Sequence, residues 1–173
     1  GLAVVVFDIS DRLQHMFFRY LVDDHAANKD KDTINYKDTL YQMYREMDKL
    51  LAETLKYVDS KTTRVVVSDH GFKPFTRGVD LNAWLRDNGY LVLKEGEAPT
   101  EYLMNVDWDK TRAFGLGLGG LYINQKGRES RGIVDAGEPA EKLKREITEK
   151  LLTIKDDNNG NPAIVEIFDS REI

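Results

Sequence analysis

Two apolar runs, Leu2-Ala3-Val4-Val5-Val6-Phe7 and Val65-Val66-Val67, flank a long stretch of helical periodicity. A continuous β-branched run is the pattern of a strand buried on both faces. Between them, Ser10 is placed to cap a helix over Asp11 to Val22, and the charged segment Asp23 to Thr33 reads as a loop. Leu40, Met43, Tyr44, Met47, Leu50, Leu51 and Leu55 recur with helical spacing and predict an amphipathic helix over Tyr36 to Tyr57. Asp59 to Thr63 reads as a turn. Strand, helix, strand in that order is the signature of an α/β sheet.

After Val67 the elements shorten. Asp80 to Asn88 predicts a helix carrying Leu81, Trp84 and Leu85, stopped by Gly89. Tyr90 to Leu93 predicts a short strand, and Glu95 to Asp109 reads as irregular. Ala113 to Asn124 is Gly-rich and ends in the strand-like Leu121-Tyr122-Ile123. Gly132-Ile133-Val134 suits another short strand. Pro139 to Leu152 predicts a helix with Leu143, Ile147, Leu151 and Leu152 on one face, Lys155 to Pro162 a turn, and Ala163 to Phe168 a last strand.

At 173 residues with 41% hydrophobic content, the chain is long enough for a real core and reads as part of one domain, with 90–135 a possible smaller subregion. A net charge of -5 and a pI near 5.3 give no basic footprint for nucleic acid. There are no cysteines, so disulfides and thiolate metal ligands are excluded, which suits a cytoplasmic setting. No apolar run reaches the roughly 18 residues of a transmembrane helix. The chain opens at Gly1 inside an apolar run and stops shortly after another. We therefore expect a piece of a longer protein, whose signal peptide, if any, would lie elsewhere.

The candidate chemistry sits at the ends of the two apolar runs. Asp69-His70 follows Val65-Val66-Val67-Ser68 and precedes Gly71-Phe72, a strand-end position where open α/β sheets place their ligands. Asp11 and His15 are separated by one helical turn, which sets both side chains on one face. Carboxylate with imidazole suits zinc, manganese or iron. The competing reading of the first pair is a turn held by a buried Asp–His contact; of the second, a helix-dipole Asp and a packed His. Two Asp/His pairs after two predicted strands point together to a two-metal hydrolytic centre.

Other features read as structural. His25, in Asp23-Asp24-His25, reads as an exposed histidine rather than a ligand. Gly115-Leu116-Gly117-Leu118-Gly119-Gly120 satisfies G-x-G-x-x-G, but strand-like residues follow where a dinucleotide site needs a helix. It reads as a flexible rim. Arg128 reads as a salt-bridge or turn residue rather than a phosphate contact. Lys155 to Asn161 lacks the EF-hand spacing.

The blocks Val65-Val66-Val67-Ser68-Asp69-His70-Gly71-Phe72 and Asp80-Leu81-Asn82-Ala83-Trp84-Leu85 resemble the alkaline phosphatase superfamily, and more narrowly its type I phosphodiesterase/nucleotide pyrophosphatase branch. Asp11-Arg12-Leu13-Gln14-His15 matches that branch's Asp-x-x-x-His motif. Val106 to Ala113 and Tyr122 to Glu129 match its later blocks, and the resemblance runs from Val4 to about Glu172. It implies an incomplete alkaline phosphatase-like α/β sheet flanked by helices. It implies two divalent metal ions, zinc or manganese, and a small phosphate-ester or nucleotide substrate. Asp11 and His15 would serve one metal, Asp69 and His70 the other. The implied reaction is in-line displacement at phosphorus.

The family's downstream His ligand and its upstream Thr or Ser nucleophile have no counterpart in this chain, which holds only His15, His25 and His70. We expect this chain alone to be inactive and to bind metal weakly. Phosphoryl transfer within one substrate, as in a phosphomutase, and a non-catalytic binding domain are the alternatives.

Overall fold

The computed structural model describes residues 1–31 and 33–171. Asp32, in the predicted loop, and Glu172, at the end of the family resemblance, lie outside the described residues. The chain divides into two compact units, Gly1–Gly78 and Val79–Ile173. Helices and one small antiparallel sheet make up an incomplete α/β arrangement.

In the first unit, α1 spans Asp8–Phe17 and runs into a 3-10 turn over Phe18–Leu21. The helix starts earlier than Ser10, whose hydroxyl donates to the Phe7 carbonyl (2.9 Å) and does not cap from outside. Asp8 and Asp11 occupy the first turn, where the helix dipole favours negative charge. Helix α2 spans Thr39–Leu55 and buries Leu40 and Met43. It touches α1 through Tyr44, whose hydroxyl donates to Gln14 Oε1 (3.0 Å). Beyond α1, Phe17, Tyr20 and Tyr36 form a ring cluster with centroids 5.3 to 5.8 Å apart, and Tyr20 is buried.

The predicted strands Leu2 to Phe7 and Val65 to Val67 do not form. Both runs lack ladder pairing, and Val4 to Val6 and Val65 to Val67 are at least 71% exposed. Composition makes these residues good strand formers, but a strand exists only when its N–H and C=O groups meet a neighbour. Among the described residues neither run has one.

The second unit holds the core. Asp80 accepts a bond from the Ala83 N–H (2.9 Å) and so caps α3, Leu81–Asp87. Gly89 follows at φ +72°, the left-handed conformation that ends helices. Strands β1, Ala113–Leu116, and β2, Gly120–Ile123, pair antiparallel, Ala113 facing Ile123. The Gly-rich stretch is therefore the tip of a hairpin, with Gly117 at φ +72° supplying the turn. Tyr90 to Leu93 and Gly132 to Val134 contribute only the single bridges Leu93–Val106 and Gln125–Val134. Ala163 to Phe168 forms no strand either, although Ile164 and Ile167 rest on the core. Helix α4, Glu138–Leu151, begins with Pro139 in its first turn and buries Ala140, Leu143, Ile147 and Leu151 against Leu85, Tyr90, Val106 and Ile123. The residues 90–135 lie in this unit together with α3 and α4. Among the described residues no helix is long and apolar enough to cross a membrane.

Tyr90 gives this core a polar anchor. The residue is buried, its hydroxyl donates to Glu146 Oε1 (2.5 Å), and Lys150 Nζ donates to the hydroxyl (2.7 Å). Burial, and then the Glu146 carboxylate, push the phenol pKa up, against the pull of Lys150. A raised folded-state pKa means that this contribution to stability is complete below the unfolded value of about 10 and is lost as pH rises through the folded one. In a near-ultraviolet titration Tyr90 is expected to ionise above the ordinary tyrosine range, together with alkaline loss of structure. A Tyr90→Phe variant that leaves the titration curve unchanged would contradict this.

Candidate metal centre

One turn of α1 and the bend after Ser68 bring three donors together. One ligand atom each from Asp11, His15 and His70 lies within 4.8 Å of the others. His15 Nε2 is 3.3 Å from Asp11 Oδ1, and His70 Nε2 is 3.6 Å from the same oxygen. Asp11 thus faces both imidazoles. All three side chains keep about half or more of their surface in solvent.

Local bonds orient His70. Its Nδ1 lies 3.0 Å from the Gly71 carbonyl, which only an N–H can satisfy. In the neutral ring that places the proton on Nδ1 and turns the Nε2 lone pair toward Asp11 and His15, the arrangement of a metal-ligating histidine held by a carbonyl. The Ser68 hydroxyl donates to the His70 carbonyl and tightens the same turn. The Gly71 carbonyl first, then the charges of Asp69 and Asp11, raise the His70 pKa above its ordinary value. Phe72 walls the group: its ring lies 4.8 Å from His15 and 5.2 Å from His70, and it stacks on Phe18 at 5.9 Å.

Of the four residues that the sequence singles out, three converge and one stands apart. Asp69 approaches His70 Nε2 at 3.8 Å, with 90% of its side chain exposed, and is not in the group of three. One carboxylate and two imidazoles are a donor set that fits a divalent ion such as zinc or manganese. With Asp69 left outside, this geometry supplies one such set among the described residues.

His25 is not exposed: it retains 8% of its surface, with Nδ1 accepting from the Ala27 N–H (3.1 Å) and Nε2 2.8 Å from the Phe75 carbonyl. A histidine whose two nitrogens both find partners can be buried at little cost. Nothing in Asp23-Asp24-His25 signals this, because the partner carbonyl is fifty positions away. Arg128 takes the structural role expected of it. Its guanidinium donates to the Ile123 carbonyl (2.7 Å) and Glu129 (2.7 Å), and Glu129 accepts from the Gln125 N–H (2.8 Å).

Among known proteins, the family described as type I phosphodiesterase/nucleotide pyrophosphatase matches residues 1–170. No curated protein and no solved structure gives a significant match. The match takes in Asp11, His15, Asp69 and His70 and all but the last few residues; the chain belongs to the type I phosphodiesterase/nucleotide pyrophosphatase family.

Proposed function

We propose that the protein is a metal-dependent phosphohydrolase that cleaves small phosphodiesters or nucleotide pyrophosphates, with Asp11, His15, His70 and Asp69 as its metal ligands. The observation that carries this is the convergence of Asp11, His15 and His70 from segments more than fifty residues apart in a chain of this family. Each of the three contributes differently. Asp11 sets a negative charge between two imidazoles, which attracts a cation and repels none of the neutral donors. His70, held by Gly71, presents Nε2 without having to reorient. Phe72 limits the space available to either ring. Bound there, zinc or manganese supplies Lewis acidity to a phosphoryl oxygen and a lowered pKa to an attacking oxygen. Asp69, 3.8 Å from His70 Nε2 and outside the group of three, is the carboxylate that would serve a second ion of this kind.

The test is hydrolysis of a chromogenic phosphodiester and the corresponding monoester by the full-length protein. We expect turnover that stops on chelation, returns with zinc or manganese, and favours the diester. Monoester preference would reassign the substrate class. Failure to turn over either ester, with metal bound, would favour phosphoryl transfer within one substrate. Failure to bind metal at all would overturn the proposal.

A further inference from the structure

The two segments that carry the candidate ligands are joined by a side chain that is not a ligand. His25 lies just beyond the 3-10 turn that continues α1. Its own position is fixed from that side. The His25 N–H donates to the Val22 carbonyl (3.3 Å), and Asn28 Nδ2 donates to the Arg19 carbonyl (3.0 Å). The buried Tyr20 ring, between Phe17 and Tyr36, anchors the same stretch. From this base the imidazole reaches the Phe75 carbonyl at 2.8 Å. Phe75 itself is 78% exposed, so burial of its ring contributes little to placing its backbone. Between His70 and Phe75 lies Phe72, whose ring touches both His15 and His70.

We propose that His25 is a positioning residue for the metal centre: it fastens the segment Gly71 to Phe75 to the end of α1 and so holds His70 and Phe72 against Asp11 and His15. The role rests on the metal reading given above. Both ring nitrogens are committed, Nδ1 to the Ala27 N–H and Nε2 to the Phe75 carbonyl, so His25 does not itself ligate. The bond requires Nε2 to carry the proton, because Nδ1 is the acceptor. A glutamine can offer an N–H at nearly the same reach as Nε2. An asparagine is too short, and a leucine has no donor.

The experiment compares wild-type full-length protein with His25→Gln, His25→Asn and His25→Leu. Zinc affinity is measured for each, and hydrogen exchange of Gly71 to Phe75 is followed without metal. We expect His25→Leu and His25→Asn to bind zinc about tenfold more weakly, the lower end of what the loss of an orienting contact costs. Their exchange at Gly71 to Phe75 should be faster, and His25→Gln should stay near wild type in both. If leucine prevents folding, the asparagine–glutamine pair carries the comparison. Wild-type affinity and protection in His25→Asn would overturn the role, as would an equal loss in His25→Gln. A wild-type protein that binds no zinc would overturn the metal reading and this role with it. Zinc binding that is indifferent to His25 would overturn the role alone.

Discussion

In the full-length protein, Asp11→Asn is expected to lower kcat/KM for phosphodiester cleavage by about 10³-fold. Asp11 is the only carboxylate in the group of three, and it faces both imidazoles. Asparagine keeps the shape and removes the charge. A unit charge at about 4 Å is worth roughly 4 kcal/mol near a protein surface, which corresponds to about three orders of magnitude in rate. The side chain is half exposed and makes no core contact, so the fold should be retained and circular dichroism unchanged. Metal content measured beside kcat/KM separates loss of the ion from loss of chemistry. Activity within tenfold of wild type would remove Asp11 from the site. Asp69→Asn is the companion variant. With ions on both Asp/His pairs its loss matches that of Asp11→Asn; with a single ion on the group of three it stays within tenfold.

The i, i+4 relation of Asp11 and His15 survives intact, because helical spacing is a local property. The helical period over Tyr36 to Tyr57 becomes α2 at Thr39–Leu55, and that over Pro139 to Leu152 becomes α4 at Glu138–Leu151. The Gly89 stop of α3 is legible for the same reason. Strands were not. Leu2 to Phe7 and Val65 to Val67 have strand composition, but ladder bonds depend on residues far away in the sequence; among the described residues the only ladder is the β1–β2 hairpin, where a short Gly-rich turn makes the partner local. The adjacent Asp69 and His70 show the limit of motif reading. The chain bends at Asp69, so adjacency in sequence does not put both side chains in one group, and only His70 joins Asp11 and His15. His25 was illegible because its burial depends on a carbonyl beyond Asp69 and His70.

The second large effect is on stability. Asn124→Ala is expected to destabilise the second unit by about 3–4 kcal/mol, the cost of leaving buried carbonyls without donors and opening a small cavity. Asn124 is 1% exposed. Its Nδ2 donates to the carbonyls of Trp108 (2.9 Å), Thr111 (2.8 Å) and Arg131 (3.1 Å), so one amide group gathers three turns of backbone. The amide cannot be turned over, since Oδ1 would then face three carbonyls. Its main chain is equally engaged: the N–H donates to the Arg112 carbonyl, and the carbonyl accepts from Ile133 and Val134. The loop it closes has no slack, because a Cβ added at Gly132 would sit 2.0 Å from the Gln125 carbonyl oxygen. Asn124→Asp should cost at least as much, since a carboxylate would meet the same three carbonyls with no donor to offer. Both tryptophans, Trp84 and Trp108, lie in this unit, so their fluorescence during urea unfolding reports it selectively. For a unit of this size such a loss corresponds to a melting temperature lower by roughly 15–20 °C. Arg128→Ala, which removes one exposed guanidinium from the same region, serves as the control and should cost about 1 kcal/mol. Equal costs for Asn124→Ala and Arg128→Ala would show that the carbonyls find water when the amide is removed, and that the loop, not the side chain, holds the hairpin to the core.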